Sequence, residues 1–151
     1  MTGIRNAMTV DVEDYFQVQA FAHCIDREDW DAFPRRVDRN TNRILDQFAT
    51  HGVKATFFTL WWVAERFPAL IRRIVSDGNE LASHGWDHTR VDSQDPETFR
   101  TDIRRTKGLL EDIGGVGVAG YRAAPFSIGA RTLWAFPILR QEGYLYSSSI
   151  N

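Results

Sequence analysis

The sequence predicts an α/β protein whose strands run parallel in one sheet. Short β-branched or aromatic segments alternate with longer segments whose apolar residues recur at helical spacing. That alternation implies right-handed crossovers between parallel strands. An open doubly wound sheet and a partial barrel both accommodate it. A second observation favours the barrel. The acidic cluster at Asp11, the pair His84 and His88, and Arg122 each follow a strand-like segment. In a barrel, the loops after the strands share one face, where sites form.

The elements follow in order. Met8 to Val12 alternates and reads as a strand ending in acids. Tyr15 to Phe33 is aromatic and irregular, with a short helix expected around Val18 to Cys24. Arg39 to Thr50 places Ile44, Leu45 and Phe48 at helical spacing, and His51-Gly52 is its stop signal. Val53 to Leu60 is β-branched and aromatic, hence a strand. Pro68 starts a helix carrying Leu70, Ile71, Ile74 and Val75, which ends near Asp77-Gly78. Glu80 to Ser83 is a short strand. Asp95 is the N-cap and Pro96 the first residue of a helix whose apolar stripe is Phe99, Ile103, Leu110 and Ile113. Val116 to Tyr121 is a glycine-rich strand, Thr132 to Glu142 a helix closed by Gly143, and Tyr144 to Ile150 a further strand. There is no internal repeat and no low-complexity linker.

Composition bounds the function classes. A chain of 151 residues with 43% apolar and 13% aromatic residues suits one domain, residues 1–151. A net charge of -2 leaves no basic footprint for nucleic acid. The longest mostly apolar run, Ala55 to Ala64, is too short to span a bilayer. Met1 to Met8 has no apolar h-region, and Cys24 stands alone, so no disulfide framework is expected. These features lead to the expectation of a cytoplasmic protein.

The run Ser83-His84-Gly85-Trp86-Asp87-His88 carries two of the four histidines in the chain. Two imidazoles plus a carboxylate form the ligand set of a catalytic metal site, and a second carboxylate can take a proton from the bound water. Position 85 is Gly, where a helical zincin motif needs its Glu, so a loop is expected here. The acids Asp11, Glu13 and Asp14 repel one another at a strand end, and a cation would relieve them. Arg122 in Gly120-Tyr121-Arg122-Ala123-Ala124-Pro125-Phe126 is placed to clamp a carboxylate. Phe58, Trp61, Trp62 and Trp86 are candidates for a sugar platform or for core. His23 and His51 read as structural.

Together these segments resemble the polysaccharide deacetylase family with the NodB homology domain, carbohydrate esterase family 4. The run Thr9-Val10-Asp11-Val12-Glu13-Asp14-Tyr15-Phe16-Gln17-Val18 is similar to its exosortase-associated branch, found in exopolysaccharide clusters. The likeness extends from about Met8 to Ile150 and includes Gly78-Asn79-Glu80-Leu81-Ala82 before the histidine motif. It implies a distorted (β/α)7 barrel of which about the first five strands are present. It implies Asp11 as catalytic base, oriented by Arg122, and His84 and His88 as metal ligands. The carboxylate ligand is Glu13, with Asp14 as the alternative. The implied cofactor is a divalent metal, usually Zn²⁺, and the implied reaction is hydrolysis of N-acetyl groups on the amino sugars of an N-acetylated polysaccharide. The implied oxyanion donor is a backbone N–H near Phe126.

The sequence departs from that pattern in three places. The family's late Leu-x-Leu-His-type motif, source of the general acid, does not occur in residues 1–151. The expectation is therefore the N-terminal part of a deacetylase domain. Where the family reads Arg-x-Pro, the proline here is one position late, at Pro125, and Ser147 stands where the branch commonly has Asp. Two other readings stay open: an inactive remnant that binds metal or glycan, and a related cyclic-amide hydrolase.

Overall fold

The computed structural model describes residues 6–150. Five strands, β1 (Met8–Val12), β2 (Ala55–Thr59), β3 (Glu80–Ser83), β4 (Gly120–Tyr121) and β5 (Tyr146–Ser147), form one sheet. They lie in sequential order, and every neighbouring pair is parallel. Between them run α1 (Val37–His51), α2 (Trp61–Arg66), α3 (Pro68–Ser76), α4 (Pro96–Gly114) and α5 (Ala135–Gln141). A doubly wound sheet reverses its strand order partway. Here the order never reverses, so right-handed crossovers stack the helices in one layer, α1 on α3, α3 and α2 on α4, and α4 on α5. This is the arc of a β/α barrel.

The core lies between sheet and helices. Val12, Phe57, Leu81 and Tyr121 face Leu45, Ile71, Ile74, Ile103 and Leu110, all buried. Tyr144 donates its hydroxyl to the Ile103 carbonyl at 2.8 Å, tying the approach to β5 to the middle of α4. Alternation along β1 decides the rest, since successive side chains take opposite faces. Val10 and Val12 turn to the helix layer. Thr9 and Asp11 share the other face, where both meet Arg122.

Several boundaries differ from expectation. The segment after β1 is three 3-10 turns, Tyr15–Gln17, Gln19–Phe21 and Arg27–Ala32, rather than a helix over Val18 to Cys24. Trp61–Arg66 is a further helix, in a stretch the sequence left without an assigned element. Its first N–H groups are taken by the histidine loop: Trp61 N–H donates to the Gly85 carbonyl at 3.0 Å. The glycine-rich strand shrinks to Gly120–Tyr121 because Val118 N–H turns away to the Glu111 side chain at 2.9 Å. At Gly120 a Cβ would overlap the Tyr146 side chain, so glycine leaves room for that ring across β4. The last helix begins at Ala135, because Thr132 is spent in a turn with Gly129. Likewise β5 covers only Tyr146–Ser147 of the strand expected over Tyr144 to Ile150.

Ile103 is fully buried where α4 meets this layer. Ile103→Ala is expected to cost about 2–5 kcal/mol through the cavity it leaves. A urea-unfolding loss below about 1 kcal/mol would contradict this packing.

Candidate active site

The sheet register assembles the site. Val12 pairs with Thr59, Thr59 with Ser83, Ser83 with Tyr121, and Tyr121 with Ser147. The next residue of each strand therefore reaches one rim, so Glu13, His84, Arg122 and Ser148 are neighbours although up to 135 positions separate them in the chain.

His84 is buried, and its Nδ1 lies 2.8 Å from the Arg122 carbonyl. A carbonyl can only accept, so Nδ1 carries the proton and Nε2 presents a lone pair. Burial pulls the His84 pKa down and favours the neutral ring. His88, also buried, has a left-handed backbone (φ 61°) that turns its ring back toward His84. Their ring centroids are 5.5 Å apart. Gly85 has φ 83°, so glycine makes the tight turn between them.

Glu13 completes the cluster. Its Oε2 lies 2.9 Å from His88 Nε2 and 3.7 Å from His84 Nε2, yet among the described residues this buried oxygen has no aligned donor. Burial raises the Glu13 carboxyl, but the facing His88, with a further electrostatic pull from the two imidazoles, outweighs burial and holds it below its usual value. Glu13, His84 and His88 each offer a ligand atom within 4.8 Å of the others. Ligands about 2.0–2.1 Å from one tetrahedral Zn²⁺ would lie roughly 3.4 Å apart, close to the separations seen. The two imidazoles, the carboxylate and the orphaned oxygen suit a divalent ion.

Asp14 is not in this cluster. Its Oδ2 accepts from Arg36 N–H at 2.6 Å and Val37 N–H at 2.9 Å, and its Oδ1 from Tyr15 N–H at 2.9 Å. It serves the start of α1 and closes a capping box with Gln17. Of the two carboxylates left open by the sequence, the structure brings Glu13 to the histidines and spends Asp14 on backbone.

Asp11 stands beside the cluster. Arg122 Nη1 donates to Asp11 Oδ1 at 2.5 Å. The rest of the guanidinium is held by Thr9 Oγ1 at 3.1 Å, Ser148 Oγ at 2.9 Å and the Ser148 carbonyl at 3.2 Å. It lies over the Phe58 ring, with Cζ 4.1 Å from the centroid. Phe58 is thus the buried floor under Arg122 rather than a sugar platform, and Trp62 belongs to the core. Trp61 and Trp86 stack on each other at 3.5 Å. Phe126 N–H donates to the Ala123 carbonyl at 2.7 Å, closing a turn around the late Pro125. That N–H is committed and is not a free oxyanion donor in this conformation. His23 and His51 are exposed and lie outside the site.

Asp102 carries a role the sequence reading missed. It lies on the buried face of α4 with Phe99, Ile103 and Thr106. Its Oδ1 accepts Trp86 N–H at 3.0 Å. The available signal was a polar residue at helical spacing inside an apolar stripe.

An acid-bearing strand, a histidine turn and an arginine-bearing strand end meet on the C-terminal rim of a β/α barrel arc, which defines the class of barrel scaffolds that carry their sites on that face. The comparisons narrow it. Residues 29–144 match the family described as polysaccharide deacetylase, and the chain belongs to that family. The matched stretch holds His84, His88 and Arg122, while Asp11 and Glu13 precede it and are joined to them by the fold. Over 75 residues the chain is 35% identical to a peptidoglycan-N-acetylglucosamine deacetylase of Bacillus cereus, covering 50% of this chain and 27% of the relative. Over 70 residues it is 36% identical to a chitooligosaccharide deacetylase of Rhizobium leguminosarum bv. trifolii, covering 46% and 33%. The chain thus spans about a third or less of these relatives. A structure from Mycobacterium smegmatis, assigned to the polysaccharide deacetylases, superposes with a TM-score of 0.76 at 29% identity, over 95% of this chain and 50% of that one. The peptidoglycan deacetylase PdaC of Bacillus subtilis shares the fold, with a TM-score of 0.67 at 21% identity, over 94% and 56%.

Asp102 also sets a pH dependence. Burial, then the charge of Asp87, pushes its carboxyl up to about 7, against the pull of the Trp86 N–H and the charges of Arg105 and Arg27. The unfolded carboxyl titrates near 3.9. Between these values the folded chain binds the extra proton, so stability falls as pH rises from about 4 to about 7. The contribution is on the order of 4 kcal/mol at most. In EDTA, Asp102→Asn should therefore gain stability over the parent at pH 8 but not at pH 4. A parent-minus-variant difference that stays constant between the two pH values would refute this titration.

Proposed function

We propose that this chain carries the metal centre and base of a deacetylase that removes N-acetyl groups from amino sugars of a polysaccharide, in exopolysaccharide biosynthesis. The observation that carries the reading is the convergence of Glu13, His84 and His88 beside an Asp11–Arg122 pair. Family membership and the named activities of the relatives support it.

Glu13, His84 and His88 would hold the ion, with Zn²⁺ best matched to two imidazoles and a carboxylate. When bound, the ion supplies Lewis-acid polarisation of the amide carbonyl and a water of lowered pKa. Asp11 takes the proton from the attacking water. Arg122 fixes the Asp11 carboxylate through Nη1, and its carbonyl fixes the His84 tautomer. One residue therefore orients both the base and a ligand. The outer carbonyl contact keeps the His84 Nε2 lone pair directed at the ion position.

Two experiments test this. Equilibrium zinc binding should reach one ion per chain. Glu13→Gln and His84→Ala should each weaken it by at least about 100-fold, since even outer partners of metal ligands are worth about 10–100-fold. Asp14→Asn should leave zinc affinity unchanged and instead cost about 1–3 kcal/mol of stability, because the amide keeps only one of the two acceptor oxygens that Tyr15, Arg36 and Val37 N–H use. Full zinc retention in His84→Ala would remove the metal assignment. Separately, the zinc-loaded chain should release acetate from chitooligosaccharides, and Asp11→Asn should lower that rate by about 10²-fold or more without lowering zinc content. An acetate-release rate unchanged in Asp11→Asn would remove Asp11 as the base.

A further inference from the structure

We propose that Asp102, on α4, is the positioning residue that sets the spacing of His84 and His88, acting through the backbone between them. The inference rests on the metal site proposed above. The two histidines are held on a five-residue turn with two left-handed residues, Gly85 and His88. Such a turn needs outside support to hold one geometry. Asp102 Oδ1 reaches into its middle, accepting Trp86 N–H at 3.0 Å, and lies 3.5 Å from where a Gly85 Cβ would stand.

The rest of the turn is braced around this bond. The Trp86 ring is sandwiched between Trp61, stacked at 3.5 Å, and the Arg105 guanidinium, 3.2 Å from its centroid. Arg105 is one turn of α4 beyond Asp102, so one helix face grips both the backbone and the side chain of Trp86. On the outer side Arg27 binds Asp87 at 2.6 Å and Thr89 at 2.7 Å. Those outer contacts are exposed and weak, as surface ion pairs generally are. Asp102 is buried, and its partner N–H is partly buried, so the bond cannot be exchanged for water without cost. Trp61 and Trp62 N–H hold the carbonyls of Gly85 and Trp86, and Asp102 holds the Trp86 N–H between the two histidines. Thr106 Oγ1 donates to the Asp102 carbonyl and not to its carboxylate, so the carboxylate stays available for Trp86.

The test compares the full chain with Asp102→Ala and Asp102→Asn. Asparagine keeps an oxygen where Oδ1 stands, so it serves as the rescue and as the variant certain to retain the packing volume. The first readout needs no metal: amide hydrogen exchange at Trp86 in EDTA. Protection should fall at least tenfold in Asp102→Ala and stay within about threefold of the parent in Asp102→Asn. The second readout is the visible spectrum and affinity of Co²⁺. Asp102→Ala should bind at least tenfold more weakly with an altered ligand-field band, and Asp102→Asn should reproduce the parent spectrum. Exchange and spectrum both unchanged in Asp102→Ala would overturn the inference. Should the alanine chain not fold, Asp102→Leu, which keeps the volume and removes the acceptor, takes its place: lost Trp86 protection with an altered spectrum supports the inference, and parental values of both overturn it. A parent that protects Trp86 but binds no cobalt would refute the metal reading instead, and the exchange arm would still judge whether Asp102 holds the turn.

Discussion

The arrangement depends on one buried arginine. Arg122 follows β4, donates to Asp11 and Thr9 on β1 and to Ser148 after β5, and offers its carbonyl to His84 after β3. A buried guanidinium without partners costs several kcal/mol, so these partners must be present together. That requires the strands to hold their register. A slip of one residue in β1 would turn Asp11 and Thr9 to the helix layer and bring Val12 against the guanidinium. The charge therefore disfavours misregistered sheets and fixes the site at the same time.

The same economy resolves the acidic cluster. Three carboxylates within four residues would repel if they shared a space. They do not, because strand alternation and the turn after β1 send them to different partners. Asp11 meets a guanidinium, Glu13 meets two imidazoles, and Asp14 meets the N–H groups of Tyr15, Arg36 and Val37. Each carboxylate then has its own chemistry: base, ligand and cap. The cap also joins the turn after β1 to the start of α1.

The parallel sheet was legible in the sequence because its determinants are local. Ile44, Leu45 and Phe48 mark α1 by spacing alone, and Asp95-Pro96 marks the start of α4 by cap chemistry that needs no tertiary contact. The histidine loop was legible because Gly85 disfavours a helix there. Trp61–Arg66 was not, since aromatic and β-branched residues suit both states and hydrogen bonds from a distant loop chose between them. Asp102 was not, because a lone acid in an amphipathic helix reads as surface until a partner N–H is seen behind it.

What the sequence by itself determined is the alternation of strands and helices, the chemical types at each strand end, and hence a family whose members share them. Residue spacing along one strand or helix carries that information. What only the tertiary structure decided is which residues meet. Sequential strand order over reversed order, Glu13 over Asp14 beside the histidines, and Phe58 as a floor over Phe58 as a platform are all choices between partners far apart in the chain. They follow from register and crossover hand, which arise only when the sheet is assembled and its buried charges must all be satisfied at once.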